Sequence, residues 1–373
     1  MGSSKDDGRD GGADGGAPSG ARPAGKRPHT YAAIDLGTNN CRLLIARPAK
    51  AGFRVCDGFS RLVRLGEGVG ASGVLSEAAM ARTVDALGIC ARKMSQRGVT
   101  RARAIATEAC RRAANRDVFL ARVADETGIA LDIISSREEA RLALVGCLPL
   151  LDADALRALV VDIGGGSTEL VWLRCDGARP HEVTAWTSLP CGVVTLTETH
   201  GGDRVPRAAY EAMVERVRAL LAPFEAANGL GREIAAGGVQ MLGTSGTVTT
   251  IAGVFLDLPR YSRARVDGLW LRFADIEATS ARLRALDYAA RAAIPSVGPR
   301  RADLVVAGCA ILEAIRRAWP VDRLRVADRG LREGLLLGMM GDDQHGAGGY
   351  AVTFAAERDT GAGMRAAGSP RAS

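Results

Sequence analysis

The chain has 373 residues, of which 47% are hydrophobic, 24% charged and 4% aromatic. That balance excludes wholesale disorder and collagen-like repeats, and the length predicts two domains with a core in each. The formal charge of +7, from 49 Lys and Arg against 42 Asp and Glu, favours anionic partners such as nucleotides or polyphosphates.

Residues 1–28 are rich in Gly, Asp and Ser, hold no apolar core of a signal peptide, and read as a disordered tail. Within them Gly20, Gly25 and Lys26 have Walker A spacing, but Arg27 stands where Ser or Thr is required and no strand precedes the run, which argues against a P-loop. The first domain is expected over 29–143. It opens with Tyr31-Ala-Ala-Ile-Asp35-Leu-Gly37-Thr38-Asn39-Asn40-Cys-Arg-Leu-Leu-Ile45, an apolar strand, an Asp, a turn and a second apolar strand, which predicts a β-hairpin. Gly66-Glu-Gly68-Val-Gly70 lacks the spacing of a dinucleotide fingerprint and reads as a loop. Arg111 has two readings, a fork for a phosphate oxygen or a solvated helix residue. The run from Ala130 to Leu144 predicts a short strand entering a helix, with Ser136 and Glu139 in capping-box spacing. On spacing alone Glu139 is either a capping residue or a catalytic carboxylate.

The second domain is expected over 144–342. Leu159-Val-Val-Asp162-Ile-Gly164-Gly165-Gly166-Ser167-Thr168-Glu169-Leu-Val-Trp172 repeats the pattern of the first hairpin, so the two domains should be alike and face each other. Turn glycines tolerate positive φ and let backbone N–H groups point at a ligand. Asp35 and Asp162 end the first strand of each hairpin. A carboxylate beside a phosphate-binding loop repels the phosphate unless a cation lies between, so the duplicated pair suggests Mg²⁺ over the alternative of two turn-closing side chains. A third turn, Gly243-Thr244-Ser245-Gly246-Thr247, precedes an apolar run; it is an anion site if a helix starts there, or a Ser/Thr cap. The basic clusters Arg260 to Arg265 and Arg300-Arg301 read as an anion channel or as solvated surface. Residues 343–373 read as a second disordered tail.

Eight cysteines are scattered without a Cys-x-x-Cys pair, and the four histidines fall at no zinc-protease spacing, so reduced buried thiols are expected rather than a metal or disulfide framework. The longest apolar runs are far shorter than the ~20 residues of a membrane-spanning helix. A cytoplasmic protein is expected, with no membrane or nucleic-acid partner.

The ordered motifs resemble the exopolyphosphatase and guanosine pentaphosphate phosphohydrolase family, within the actin, Hsp70 and sugar-kinase-like superfamily. They are Asp35 to Asn40, Thr107 to Arg111, Ser136 to Arg141, Asp162 to Glu169, Gly243 to Thr247, Val266-Asp-Gly268, Arg301-Ala-Asp303 and Gly330 to Leu335. The resemblance implies an α/β fold of two ribonuclease H-like domains around an interdomain cleft. It implies Mg²⁺ beside Asp162, Glu169 and Asp35, and phosphate held by Gly37, Thr38, Asn39, Gly164 to Thr168, Ser245, Gly246 and Thr247. It makes Glu139 the general base for the attacking water and Arg111 the stabiliser of phosphoryl charge. The implied activity is release of orthophosphate from inorganic polyphosphate. Guanosine pentaphosphate (pppGpp) hydrolysis in the stringent response, a superfamily kinase or ATPase, and a non-catalytic polyphosphate or (p)ppGpp sensor are alternatives. A homodimer is compatible with the resemblance. The family's first loop commonly reads Ser-Asn-Ser, where this chain has Thr38-Asn39-Asn40. The chain also matches a short form, without the helical His-Asp-hydrolase-like C-terminal region of long members.

Overall fold

The computed structural model describes residues 29–50, 52–175, 181–343 and 352–354. The first expected tail, the Gly20 to Lys26 near-match and most of 343–373 lie outside the described residues.

The first sheet has strands β1 (Tyr31–Leu36), β2 (Asn40–Ala49), β3 (Gly52–Leu62), β4 (Arg101–Ala106) and β5 (Asp132–Ile133), in the order β3-β2-β1-β4-β5. The second has β6 (Arg157–Ile163), β7 (Thr168–Arg174), β8 (His181–Leu189), β9 (Val239–Thr244), β10 (Trp270–Arg272), β11 (Arg323–Ala327) and β12 (Val352–Phe354), in the order β10-β11-β9-β6-β7-β8-β12. In both, three antiparallel strands are followed by parallel ones, so β8-β7-β6-β9-β11 repeats β3-β2-β1-β4-β5. This is the duplicated ribonuclease H-like order, and the echo of Asp35 in Asp162 is structural. β1 and β6 are central strands, buried on both faces, which is why each reads as a continuous apolar run rather than an alternating one. The turns that follow them lie at the carboxyl ends of the parallel strands, where open α/β sheets place ligands.

The chain passes from the first sheet to the second through the helix Ser136–Cys147 and comes back through the helix Leu331–Asp343. The expected second unit ran to 342, but this last helix packs on the first sheet: Leu331, Leu335, Leu336 and Met340 share a core with Tyr31, Ala33, Leu44 and Leu142. Gly146 faces Gly330 and Gly334 faces Leu142 so closely that a Cβ on either glycine would overlap the opposite backbone. A second difference lies in the expected tail, where Val352–Phe354 pairs in parallel with β8. Phe354 packs edge-on against Trp186 and beneath the Arg137 guanidinium, so two apolar residues suffice to seat a strand in otherwise polar sequence.

The helix crossing sets opposite signs for two glycines of one helix. Gly334→Ala is expected to lower the unfolding free energy by about 1–3 kcal/mol through overpacking. Gly338→Ala, with nothing within 4 Å of the added carbon, is expected to raise it by about 0.5–1 kcal/mol. Urea unfolding midpoints check both, and equal shifts would refute the crossing.

Candidate active site

The β1–β2 turn closes with the Gly37 amide donating to the Asn40 carbonyl at 3.0 Å, and the β6–β7 turn with Gly164 donating to Ser167 at 2.9 Å. Neither Gly37 nor Gly164, Gly165 and Gly166 has positive φ, which corrects the reason expected for these glycines. For Gly164, Gly165 and Gly166 the reason is proximity, whereas a Cβ on Gly37 would meet nothing closer than 3.8 Å. A Cβ on Gly165 would lie 3.1 Å from the Thr38 Cβ, and one on Gly166 2.8 Å from the Thr38 hydroxyl, so the two turns touch only because the second carries no side chains. The Gly164 and Gly165 carbonyls accept from the Val193 and Val194 amides at 3.1 and 2.8 Å, which ties the loop to the start of the helix Val193–His200. The third turn starts the helix Ser245–Phe255. Ser245 adopts φ +75°, rare for a residue with a side chain, and its hydroxyl bonds Asp162.

Asp35 and Asp162 occupy the same register in their hairpins. Asp35 lies opposite Arg42, whereas Asp162 lies opposite Glu169. Glu169 is buried and accepts a hydrogen bond from the Ser188 hydroxyl at 2.8 Å. Glu139 comes to the same cavity from the crossing helix. The cap of that helix is Ser135, whose side chain accepts from the Glu138 amide, so the expected Ser136–Glu139 box is one residue out. Glu138 holds the third position and pairs with Arg141 at 2.7 Å. Glu139 is thereby released from capping, is buried, and meets Arg111 Nη1 at 2.7 Å. Arg111 is no solvated arginine: its remaining donors reach Glu108 Oε2 at 2.8 and 3.2 Å and the Ile134 carbonyl at 3.0 Å.

Burial raises the pKa of Asp35, Glu139, Asp162 and Glu169, and for the last three a neighbouring carboxylate of the site adds to it. Asp162 is pushed up to about 6, by burial and then the Asp35 charge. Glu169 reaches about 7, by burial and then Asp162. Asp35 is raised chiefly by burial, with Arg42 opposing. Glu139 lies well above the usual carboxylate range, through burial and the Glu169 charge, partly offset by Arg111.

One cavity is lined by Asp35, Glu139, Asp162 and Glu169 together with Gly37 to Asn39, Gly164 to Ser167 and Ser245. Gly246 and Thr247 line an adjoining cavity that shares Asn39, Arg42, Gly164, Gly165 and Ser245 with the first. Two expected phosphate or charge contacts fall elsewhere. Thr168 is fully buried with its hydroxyl on the Cys191 carbonyl at 2.7 Å, so it ties the loop down rather than facing a ligand. Arg111 meets the site through Glu139 and Glu108 and does not line the cavity. The sequence reading missed Arg42, which follows Asn40 on the same face of β2, a period-2 signal available once the hairpin is recognised. Of the basic pair, Arg301 turns inward and donates to the Thr250 hydroxyl at 2.8 Å, whereas Arg300 is exposed. Both inward arginines converge on the third turn: a Cβ on Gly246 would lie 3.5 Å from Arg42 Nη2 and 4.0 Å from Arg301 Cζ. The cleft is therefore acidic at one end and cationic, with a helix N-terminus, at the other.

Residues 44–343 match the Ppx/GppA phosphatase family. The chain is 34% identical to exopolyphosphatase 2 of Mycobacterium tuberculosis over 324 residues, 83% of this chain and 98% of that protein. It is 30% identical to the guanosine-5'-triphosphate,3'-diphosphate pyrophosphatase of Aliivibrio fischeri, over 85% of this chain but only 61% of that protein. Among solved structures, an exopolyphosphatase from Cytophaga hutchinsonii superimposes with a TM-score of 0.76 at 25% identity, over 84% of this chain and 98% of the other. The Aquifex aeolicus family member gives 0.67 at 28%, over 86% and 100%. With its duplicated sheets, its facing glycine turns and a match that runs through most of its length, the chain belongs to the Ppx/GppA phosphatase family.

Proposed function

We propose that this chain hydrolyses the terminal phosphoanhydride of inorganic polyphosphate and releases orthophosphate. The observation that carries the reading is the juxtaposition of Glu139, held by Arg111, with a wall of turn amides and a helix N-terminus across the same cleft. Phosphoryl transfer asks for an in-line water, neutralised charge and position, and needs no cysteine or histidine nucleophile. The terminal phosphate sits against the Gly165 to Ser167 amides and the Thr38 hydroxyl. Glu139 accepts a proton from, or orients, the attacking water, and Arg111 keeps that carboxylate pointed into the cleft. Arg42, Arg301 and the amides of Gly246 and Thr247 hold the phosphates that follow.

The acids also fit a divalent cation. Glu169 is buried and its cross-strand neighbour Asp162 half-buried, and their hydrogen bonds come from serines and not from a cation. Among the described residues no three His, Cys, Asp or Glu side chains stand close enough to make an ion cage alone. Mg²⁺ suits that set, because it is commonly bound through one or two carboxylates plus waters and substrate phosphates. Asp162 and Glu169 would hold it, with Asp35 nearby, and it would supply charge neutralisation at the phosphoryl oxygens.

Guanosine pentaphosphate is the second substrate considered, since it presents the same terminal anhydride and the relative from Aliivibrio fischeri is named for a guanosine substrate. A sensor without turnover is disfavoured by the complete set of Glu139, Asp162 and Glu169. No helix among the described residues is long and apolar enough to cross a membrane.

Glu139→Gln is expected to keep the fold and phosphate-chain binding while losing orthophosphate release by roughly 100-fold or more. Near-normal turnover would remove Glu139 from the chemistry. The wild-type ratio of kcat/KM for polyphosphate and pppGpp decides the substrate. A second expectation concerns pH. Because Asp162 and Glu169 titrate near 6 and 7 when folded, above their unfolded values of ~3.9 and ~4.3, the folded chain binds more protons in that interval. The metal-free protein should therefore lose thermal stability as pH rises from about 4 to 7, and added Mg²⁺ should restore it most above pH 7. A midpoint that rises over that range without metal would contradict the burial of these acids.

A further inference from the structure

Arg64 joins two observations that the catalytic reading leaves unused. Its backbone stands at φ +48°, in the left-handed region where a long side chain is strained. The bend lets the Val63 and Arg64 amides donate together to the Asn39 carbonyl, at 2.9 and 3.0 Å, which ties this segment to the first phosphate turn. From there the side chain reaches the second domain, with Nη2 2.8 Å from Asp303 Oδ2. Asp303 is anchored in turn. It follows Arg301 by two residues, the Leu304 and Val305 amides donate to the Arg301 carbonyl, and the Asp303 carbonyl accepts from the Thr197 hydroxyl. Its Oδ1 is buried without a hydrogen-bond partner among the described residues, so Arg64 supplies the one hydrogen bond to this carboxylate, while the Arg291 charge also acts on the region. A second link across the same gap runs from the Gly68 amide to Glu198 Oε1 at 3.0 Å.

We propose that Arg64 and Asp303 are positioning residues, and that their ion pair is an interdomain latch fixing the separation of the Arg42 and Arg301 walls of the phosphate cleft. The need for one follows from charge. Arg42 belongs to the first domain and Arg301 to the second, and both guanidinium groups converge on Gly246. With no anion between them they repel, and burial together with the Arg42 charge pushes the Arg301 pKa down. Repulsion across a cleft drives its walls apart. The latch opposes it at the rim, from residues one step removed from each wall: Arg64 through the Asn39 carbonyl, and Asp303 through the turn that carries Arg301. An arriving phosphate chain then finds two cations already at bridging distance, and neutralises the repulsion itself. The latch acts on binding of the trailing phosphates and not on the water at Glu139, which lies at the other end of the cleft.

The kinetic arm of the test rests on the hydrolase reading; the structural arm does not. Arg64→Gln, Asp303→Asn and the exchange R64D/D303R are compared with wild type in the full chain. Each single change is expected to raise KM for polyphosphate roughly fivefold, the scale of a half-exposed ion pair. It should leave kcat within about twofold, enlarge the radius of gyration of the substrate-free protein in small-angle scattering, and speed amide exchange over residues 63–68. The exchange variant is expected to recover KM, scattering and amide protection together, which a loss of packing would not allow. Unchanged KM and scattering in both single variants, or an exchange variant no better than either, overturns the latch. Should one single variant fail to fold, the other and the exchange variant decide the same question. If wild type releases no orthophosphate, the hydrolase reading falls while scattering and amide exchange still decide the latch.

Discussion

Asp35, Glu139, Asp162 and Glu169 line one cleft, and carboxylates so placed raise each other's cost of ionisation. The remainder of the molecule can be understood as the means of enforcing that placement. Two hairpins of the same design must meet turn to turn, so the second must be bare of side chains at Gly165 and Gly166. Glu139 must enter from a helix whose own start is capped by another residue, Ser135, and whose flank is held by Arg111. Under the proposed reading, a hard cation with its attendant phosphate would relieve that repulsion, so electrostatic discomfort in the empty state would become affinity in the loaded one.

The cleft is polarised along its length. The acids lie at one end, Arg301 and the start of the helix Ser245–Phe255 at the other, and Arg42 stands between them, lining both cavities. On the proposed reading, a linear polyanion entering such a field has one favoured direction, with its following groups among the arginines. A branched or internally presented phosphate satisfies only one end. This polarity is a property of two walls, each belonging to a different domain, and it exists only while the walls stay at the right spacing.

How much of this was legible beforehand depended on whether the signal was local. The Asp35 and Asp162 echo is local, and it foretold both hairpins, their equivalence and their facing arrangement. Glu139 was legible as a candidate but not as free, because Ser135 and Ser136 offer the same cap chemistry and only backbone geometry selects between them. The glycines were rightly singled out for a reason that proved wrong: a steric demand made by Thr38, distant in the chain, leaves no trace in the turn's own residues. Thr168 and Arg111 likewise carried family-like positions whose partners, the Cys191 carbonyl and Glu108, are set by packing. The inward turn of Arg301 beside the exposed Arg300, and the seating of Val352–Phe354 on β8, also depend on tertiary contacts that periodicity does not encode.

The return of the last helix to the first sheet has a bearing on how the chain comes to be folded. Tyr31, in the opening strand, donates its hydroxyl to Asp343 at the far end of that helix, 2.7 Å away. During synthesis the amino-terminal sheet emerges first, and Leu142 and Ala143 join the apolar face formed by Ala33, Leu44 and Ala46 early, yet that core stays incomplete until residues 331–343 leave the ribosome. The second domain is made in the meantime, and all of its sheet but the edge strand β12 is available before residues 331–343. The molecule therefore closes like a clasp, with the earliest-made strand waiting for the latest-made helix. That interval is when a partly made chain is most exposed to self-association and most dependent on chaperones.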